Sequence, residues 1–336
     1  MTKILILRFS SIGDIVLTTP VVRTLKTQLP ALELHYATKP QFVSILAQNP
    51  YIDKIYTLEP KKTNELIKKL KQEKYNYIID LHHNQRTFYI KWRLGVKSYA
   101  FPKLNWQKWV FVNFKKNFLP NVHIVDRYMQ AVAPLGVKMD NLGLDFFIAE
   151  EDEFELSWLP STHQKGFVVY ALGGTHATKR LPLNRMIELC DKINKPIILL
   201  GGKEDYEIAQ QLCDFFEKDQ ASDFEKVFEK LNKKARIFNL CGKLNLGQSA
   251  SLVKQAQVVF THDTGLMHIA AAFRKKIYSI WGSTSPHFGM YPYRTSFVVF
   301  ENNNLSCRPC SKIGYSKCPK GHFKCLNEVV FDFWLP

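Results

Sequence analysis

Residues 4–20 read ILILRFSSIGDIVLTTP, and how this stretch is read decides the fold. Ile4-Leu5-Ile6-Leu7 is a short, unbroken apolar run, as expected of a strand covered on both faces. Two serines and a glycine follow, and Asp14 then opens a second apolar stretch. A strand that turns directly into a helix is the opening unit of a parallel α/β sheet. Asp14 itself has two readings. As a helix start it is ordinary, because capping and the macrodipole favour carboxylates near N-termini. As a base it would face a cleft, because ligands of open α/β sheets sit beyond the carboxyl ends of the strands. The first is the default for this stretch alone, and other parts of the chain have to shift it.

Outward from KILILRF (3–9), strand-like runs recur with helical patterns between them. In the first half they are ELHYAT (33–38), KIYTL (54–58) and YIIDL (77–81). The second half has FVVYAL (167–172), PIILLGG (196–202), IFNLC (237–241), VVFTHD (258–263) and KIYSIWG (276–282). NELIKKLKQE and EIAQQLCDFFEK carry apolar residues at helical spacing. This alternation predicts an α/β fold of parallel sheets with helices on both faces. The acidic stretch AEEDEFELSWLPST (149–162) interrupts the rhythm and reads as a linker. Two doubly wound, Rossmann-like domains, residues 1–155 and 156–336, are expected to face an interdomain cleft.

A chain of 336 residues suits two domains better than one core. With 46% hydrophobic and 23% charged residues it is globular. No apolar run reaches the length of a membrane span, and Lys3 leads straight into a strand rather than a signal-peptide core. A cytoplasmic protein is expected. The net charge of +16 implies polyanionic company: nucleic acid, an anionic membrane face or phosphorylated substrates.

Residues 86–116, RTFYIKWRLGVKSYAFPKLNWQKWVFVNFKK, break the pattern with no acidic residue and an aromatic every few positions. A solvated basic face with its aromatics in the core is the plain explanation. Interleaved rings and unopposed cations also suit the anionic interface of a membrane, or stacking on nucleic-acid bases. No RNA- or DNA-binding module is visible, so membrane ranks above nucleic acid. Of seven cysteines, Cys190, Cys213 and Cys241 read as buried thiols. Cys307, Cys310, Cys318 and Cys325, with His322 nearby, could hold a structural zinc, but the second pair is wider than a zinc-ribbon knuckle. Packed reduced thiols are the preferred reading.

VVFTHDTGLMHIAAA (258–272) carries the most chemistry. A buried strand ends at Asp263 and a helix begins within Thr264-Gly265-Leu266, whose free N–H groups and small side chains make a phosphate seat. Asp263 would repel a phosphate placed on it and suits sugar hydroxyls beside one. His268 lies one turn into the helix, where a histidine is ordinarily a core residue. Two further strand ends should point into the same cleft: ALGGTHATKRLP (171–182), with Thr175 and Lys179, and LLGGKEDYEIA (199–209), with Glu204. Lys179 can neutralise a diphosphate, and Glu204 can cap its helix or bind a ribose diol. G-x-G-x-x-G follows the first strand of neither half, and no P-loop is present. Nicotinamide chemistry and NTP hydrolysis are therefore disfavoured.

RFSSIGDIVLTTP, HATKRLP, LCGKLNLGQSASLV, THDTGLMHIAAA, WGSTSPHFGMYPY and CRPC…CPKGHFKC occur in that order. With them the chain resembles glycosyltransferase family 9, the ADP-heptose:lipopolysaccharide heptosyltransferases, almost end to end. The resemblance implies a GT-B fold, with acceptor in the first half and donor nucleotide in the second. It implies that Asp14 is the catalytic base, in a turn shaped by Ser10 and Gly13. By the same resemblance Lys179 binds the diphosphate with Thr175 nearby, Glu204 the ribose and Asp263 the donor sugar. Thr264, Gly265, Leu266 and His268 line the phosphates, and Leu244 packs on adenine. The family's chain usually runs on into a helix returning toward the first domain, where this sequence has only NEVVFDFWLP.

The implied activity is inverting transfer of a heptose or related sugar from an ADP-sugar to a lipopolysaccharide-type acceptor. The implied partners are that donor and an anionic lipid-linked glycan, met at the inner face of the cytoplasmic membrane, with no nucleic acid. No Asp-x-Asp stands at a cleft strand, so neither a metal nor another cofactor is called for. The alternatives are a sugar-nucleotide epimerase or hydrolase of the same fold, and a non-catalytic binder of anionic glycolipid.

Overall fold

The computed structural model describes residues 2–217 and 235–335. Each of the nine runs quoted above forms a strand. In the first half they are β1 (Thr2–Leu7), β2 (Leu32–Thr38), β3 (Lys54–Thr57) and β4 (Tyr77–Asp80), joined at the edge by β5 (Ser98–Ala100). The second half contributes β6 (Val168–Ala171), β7 (Ile197–Leu200), β8 (Ile237–Asn239), β9 (Val258–His262), β10 (Lys276–Trp281) and β11 (Phe297–Glu301). The first sheet runs β3-β2-β1-β4-β5 and the second β11-β10-β9-β6-β7-β8. Every pairing is parallel.

β1 shows why this sequence folds so. Ile4 to Leu7 have no exposed surface, since β1 is flanked by β2 and β4 and covered on both faces. Alternate residues point to opposite faces: Ile4 and Ile6 enter one apolar cluster, Leu5 and Leu7 another. In each sheet the strand order reverses once, between β1 and β4 and between β6 and β9. At such switch points the connections leave to opposite faces and open a crevice at the carboxyl ends.

Residues 86–116 do not interrupt the α/β rhythm, contrary to expectation. They continue it as the helix Gln85–Leu94, strand β5 and the helix Asn105–Phe114. β5 has three residues, none of them buried, so its apolar signal is faint. β11 was also missing from the runs; it is an edge strand with only Phe300 buried. NELIKKLKQE lies in the helix Thr63–Gln72 except for its C-cap Glu73, and EIAQQLCDFFEK in Tyr206–Glu217 except for Lys218, which is outside the described residues. The 149–162 stretch holds two 3-10 turns and the helix Ser161–Gln164, with no strand.

A first-half helix, Ile124–Gln130, is bonded to second-half chain. Gly289 O accepts from Ile124 N at 2.8 Å, and the Tyr293 hydroxyl donates to Asp126 at 2.7 Å. After the short helix Lys324–Asn327 the tail stays on the second sheet. Phe331 is buried against Phe300, and the Phe333 ring lies 5.0 Å from that of Phe260. Cys190, Cys213 and Cys241 are buried free thiols, and Cys307, Cys310, Cys318 and Cys325 are also unbridged. Among the described residues, the only three metal-ligating groups that converge are Glu33, His35 and Glu73, far from those cysteines in sequence. No described helix is long and apolar enough to cross a membrane.

Truncating Phe331 to Ala should cost about 3–5 kcal/mol, the loss of a buried aromatic plus the cavity left behind. Val330→Ala, at a position 76% exposed, should change stability by less than ~0.5 kcal/mol. Urea denaturation of the two variants checks the placement of the tail.

Candidate active site

Asp14 sits in the first turn of the helix Ile12–Val16, just past the carboxyl end of β1. Its Oδ2 accepts from the Ser11 N–H at 3.1 Å and from the Ser11 hydroxyl at 2.8 Å. Its Oδ1 meets Arg8 Nη2 at 2.7 Å. Arg8 is itself pinned: Nε donates to the Ser10 carbonyl at 2.7 Å, and Nη1 to the Leu81 carbonyl and the Tyr128 hydroxyl. Burial works to raise the Asp14 pKa, yet the Arg8 charge and the Ser11 donors outweigh it and hold the carboxyl below its ordinary range. Asp14 is therefore ionised at neutral pH. One carboxylate satisfies the helix start and is still only half-buried.

Across the cleft, Thr264 is the extended N-cap of the helix Gly265–Ala272, and no side chain caps it. With no side-chain cap, its first N–H groups are of the kind that favour an anion. Asp263 Oδ2 takes Lys179 Nζ at 2.6 Å and the Thr284 hydroxyl at 3.1 Å. Lys179 comes from the 3-10 turn Ala177–Lys179 after β6, so the pair spans the β6/β9 switch point. Gly174 keeps that turn close: a Cβ there would lie 3.2 Å from Arg180 Cγ and 3.8 Å from Thr264 Cγ2. Thr175 is exposed in the same loop.

The two turns meet. A Cβ on Gly13 would lie 2.5 Å from His268 Cδ2, and one on Gly265 would lie 2.8 Å from Ile12 Cγ2 and 3.4 Å from Gly13 N. Two helix starts from different sheets thus pack backbone to backbone. His268 is buried in this contact, and burial pushes its pKa down to about 4 against the opposing pull of Asp263 and Asp14. It is a neutral imidazole at neutral pH, and its Nδ1 has no hydrogen-bond partner among the described residues.

Glu204 and Leu244 lie further along the second sheet. Glu204 is exposed and folds over Gly202, while Leu244 and Leu266 are half-buried against the core. The capping bond from the Gly202 N–H goes to Asp205 at 2.9 Å, and Asp205 also binds Arg180 at 2.9 Å. A Cβ on Gly242 would approach Lys203 Cα at 2.9 Å, so the ends of β7 and β8 lie side by side. In sheet order the ends of β9, β6, β7 and β8 make a row from the Asp263 turn to Leu244. Such a row can seat a nucleotide lengthwise, phosphates at the switch point and base at the far end.

Sequence reasoning missed several groups around Asp14. His82 follows β4 at the first sheet's switch point; its Nδ1 is buried without a partner, and burial together with Arg8 lowers its pKa to about 4. The DLHHN turn after a strand was the available signal. Arg127 is 2% exposed; among the described residues its Nε and Nη1 have no partner, while Nη2 donates to the Phe288 carbonyl at 2.9 Å. Lys108 is pushed down to about 8 by burial, then by Arg127, Lys312 and Lys103. No local signal foretells that cluster, because residues 103, 108, 127 and 312 meet only in the folded chain.

Two doubly wound sheets, with a carboxylate at one switch point and an uncapped helix start at the other, have the architecture of a glycosyltransferase of the GT-B type. The sequence profile of glycosyltransferase family 9 (heptosyltransferase) matches residues 63–320, well over half of the chain, and the protein belongs to that family. Lipopolysaccharide heptosyltransferase 1 of Campylobacter coli is 25% identical over 322 residues, covering 88% of this chain and 89% of that protein. Two solved structures share the fold at a TM-score of 0.69. A glycosyltransferase family 9 protein from Veillonella parvula is 22% identical, with 90% of this chain and 86% of the other covered. Escherichia coli ADP-heptose lps heptosyltransferase II is 18% identical, with 97% and 98% covered. Family membership favours sugar transfer over the epimerase, hydrolase and glycolipid-binding alternatives.

Gly13→Ala should lower stability by about 1–3 kcal/mol, because the new methyl must displace His268 or part the two turns. Urea unfolding measures it. The depressed Asp14 pKa sets a second expectation, on stability against pH. A lowered carboxyl pKa stabilises the fold above the unfolded value of ~3.9, and that contribution fades as pH falls through the folded value. The stability gap between the parent protein and Asp14→Asn should therefore narrow below about pH 4.

Proposed function

We propose that this protein transfers heptose from ADP-heptose, with inversion, to a lipid-linked glycan of the lipopolysaccharide type. The observation that carries the reading is the contact of the Asp14 turn with the Thr264–Gly265 helix start. It supports pairing the ionised Asp14 carboxylate with a diphosphate seat at that helix start. The names of the relatives, lipopolysaccharide heptosyltransferase and ADP-heptose lps heptosyltransferase, supply the sugar and the acceptor class.

In this reading the chain divides near residue 155 into an acceptor domain and a donor domain. The acceptor hydroxyl gives its proton to Asp14 as its oxygen forms a bond to the anomeric carbon. The bond from that carbon to the β-phosphate oxygen breaks from the opposite face, and ADP leaves with the electron pair. Charge growing on that oxygen is received by Lys179 and by the free N–H groups at Gly265 and Leu266. Asp263, already bonded to Lys179, holds the lysine in place and takes donor-sugar hydroxyls. Glu204 binds the ribose and Leu244 lies under the adenine. Thr175 reaches the diphosphate, and Ser10 holds Arg8, which holds Asp14.

On the acceptor side, the Lys103, Lys108 and Lys312 ammonium groups suit acidic groups on the glycan. The protein works in the cytoplasm, at the inner face of the membrane that carries its acceptor.

Asp14→Asn keeps the shape and removes the basicity. ADP affinity should be unchanged by calorimetry, while turnover falls by ~10²–10⁴-fold, the usual worth of general-base assistance; near-normal turnover overturns the role. Lys179→Ala should weaken ADP binding roughly tenfold to a hundredfold, the worth of one charge-assisted hydrogen bond. Unchanged affinity would count against the diphosphate seat.

A further inference from the structure

We infer that the exposed aromatic and basic residues of segment 105–118 and of the 309–320 loop form one surface that docks on an anionic lipid bilayer. It rests on the reading that the acceptor is lipid-linked and names the surface that meets the lipid.

The helix Asn105–Phe114 is only partly sunk into the fold. Val110 and Phe111 are buried, with the Phe111 ring edge-on to Phe288 at 5.6 Å. Toward its two ends and along its flank the helix leaves Trp106 64%, Trp109 53% and Phe114 60% exposed. Trp106 stacks on Phe118, itself 57% exposed, at 6.3 Å, and Trp109 lies 5.4 Å from Phe114. Clustered exposed rings mark an interaction site.

Charge selects the occupant. No acidic residue stands between Asp80 and Asp126, against eight lysines and arginines, and none between Glu301 and Glu328, against five. The two stretches adjoin in space: Lys115 Nζ donates to the Pro309 carbonyl at 2.8 Å. The loop adds Ile313, 63% exposed, and Tyr315, 42% exposed. Indole rings with lysines around them match the headgroup layer, where rings sit at the boundary and ammonium groups pair with phosphates. Trp106 already has a ring on one face, which favours insertion over stacking with bases.

The surface is tied to the donor side. The Thr178 N–H donates to the Tyr315 carbonyl at 3.1 Å, and the Tyr315 N–H to the Thr178 hydroxyl at 2.8 Å. Thr178 precedes Lys179, so docking would hold the diphosphate turn next to the lipid surface and present the cleft to a membrane-borne acceptor.

The test is co-sedimentation of the full chain with glycan-free vesicles, one set of phosphatidylcholine and one of phosphatidylcholine with phosphatidylglycerol. Expected are binding to the second set only, weakening with salt, and tryptophan quenching by brominated lipid. Trp106→Gln with Trp109→Gln, and separately Lys317→Glu with Lys320→Glu, should each cut the partition coefficient roughly tenfold or more, with ADP affinity intact. Absence of vesicle binding, or variants that bind as the parent does, overturns the docking surface. So does retention of single-stranded RNA, rather than vesicles, that the variants abolish. ADP binding without vesicle binding would sink this inference alone; absence of ADP binding would strike the transferase reading instead.

Discussion

Two glycines, Gly13 and Gly265, let the starts of two helices touch with no side chain between them. Each helix leaves the carboxyl end of a parallel strand at or beside a switch point, so each brings unpaired N–H groups and a strand-end carboxylate. Parallel strands force this arrangement, because every connection to a following helix emerges at the same edge of its sheet. Bringing those edges together makes one cleft with two chemically different walls. Any side chain at residue 13 or 265 would prise the walls apart, and the histidine packed in the contact would move with them.

The walls are held ready by ion pairs made within each half. Arg8 pairs with Asp14 in the first, and Lys179 with Asp263 in the second. Pairs of this kind add little net stability, since desolvation offsets most of the attraction. Their use is positional: each holds its partner in one orientation before a ligand arrives. Around them the balance is positive, with two Arg127 nitrogens lacking a partner among the described residues and Lys108 depressed by burial and by its cationic neighbours. Cations crowded without counter-charges are costly to keep, and an anionic ligand relieves that cost on binding.

The same excess of charge continues outside, from the cleft to the aromatic helix Asn105–Phe114 and the cysteine-rich loop. Chain from the two halves meets there as well, through Lys115 and Pro309. The loop that carries Pro309 thus lies beside the aromatic helix, although the two are almost two hundred residues apart in sequence.

Local pattern determined much of this protein by itself. Continuous apolar runs between helical repeats spelled out nine of the strands, and with them the strand-end turns that carry Asp14, Lys179 and Asp263, since period and punctuation are local properties. The edge strands β5 and β11 escaped because half-exposed edges carry a diluted apolar signal. Asp205 escaped in favour of its neighbour Glu204 because two adjacent acids look alike until one is buried as a cap. Only the tertiary structure decided which strand ends face one another, that His268 is pressed on Gly13, and that Lys103, Lys108, Arg127 and Lys312 share one space. Those facts depend on contacts between residues far apart in sequence, which no local periodicity encodes.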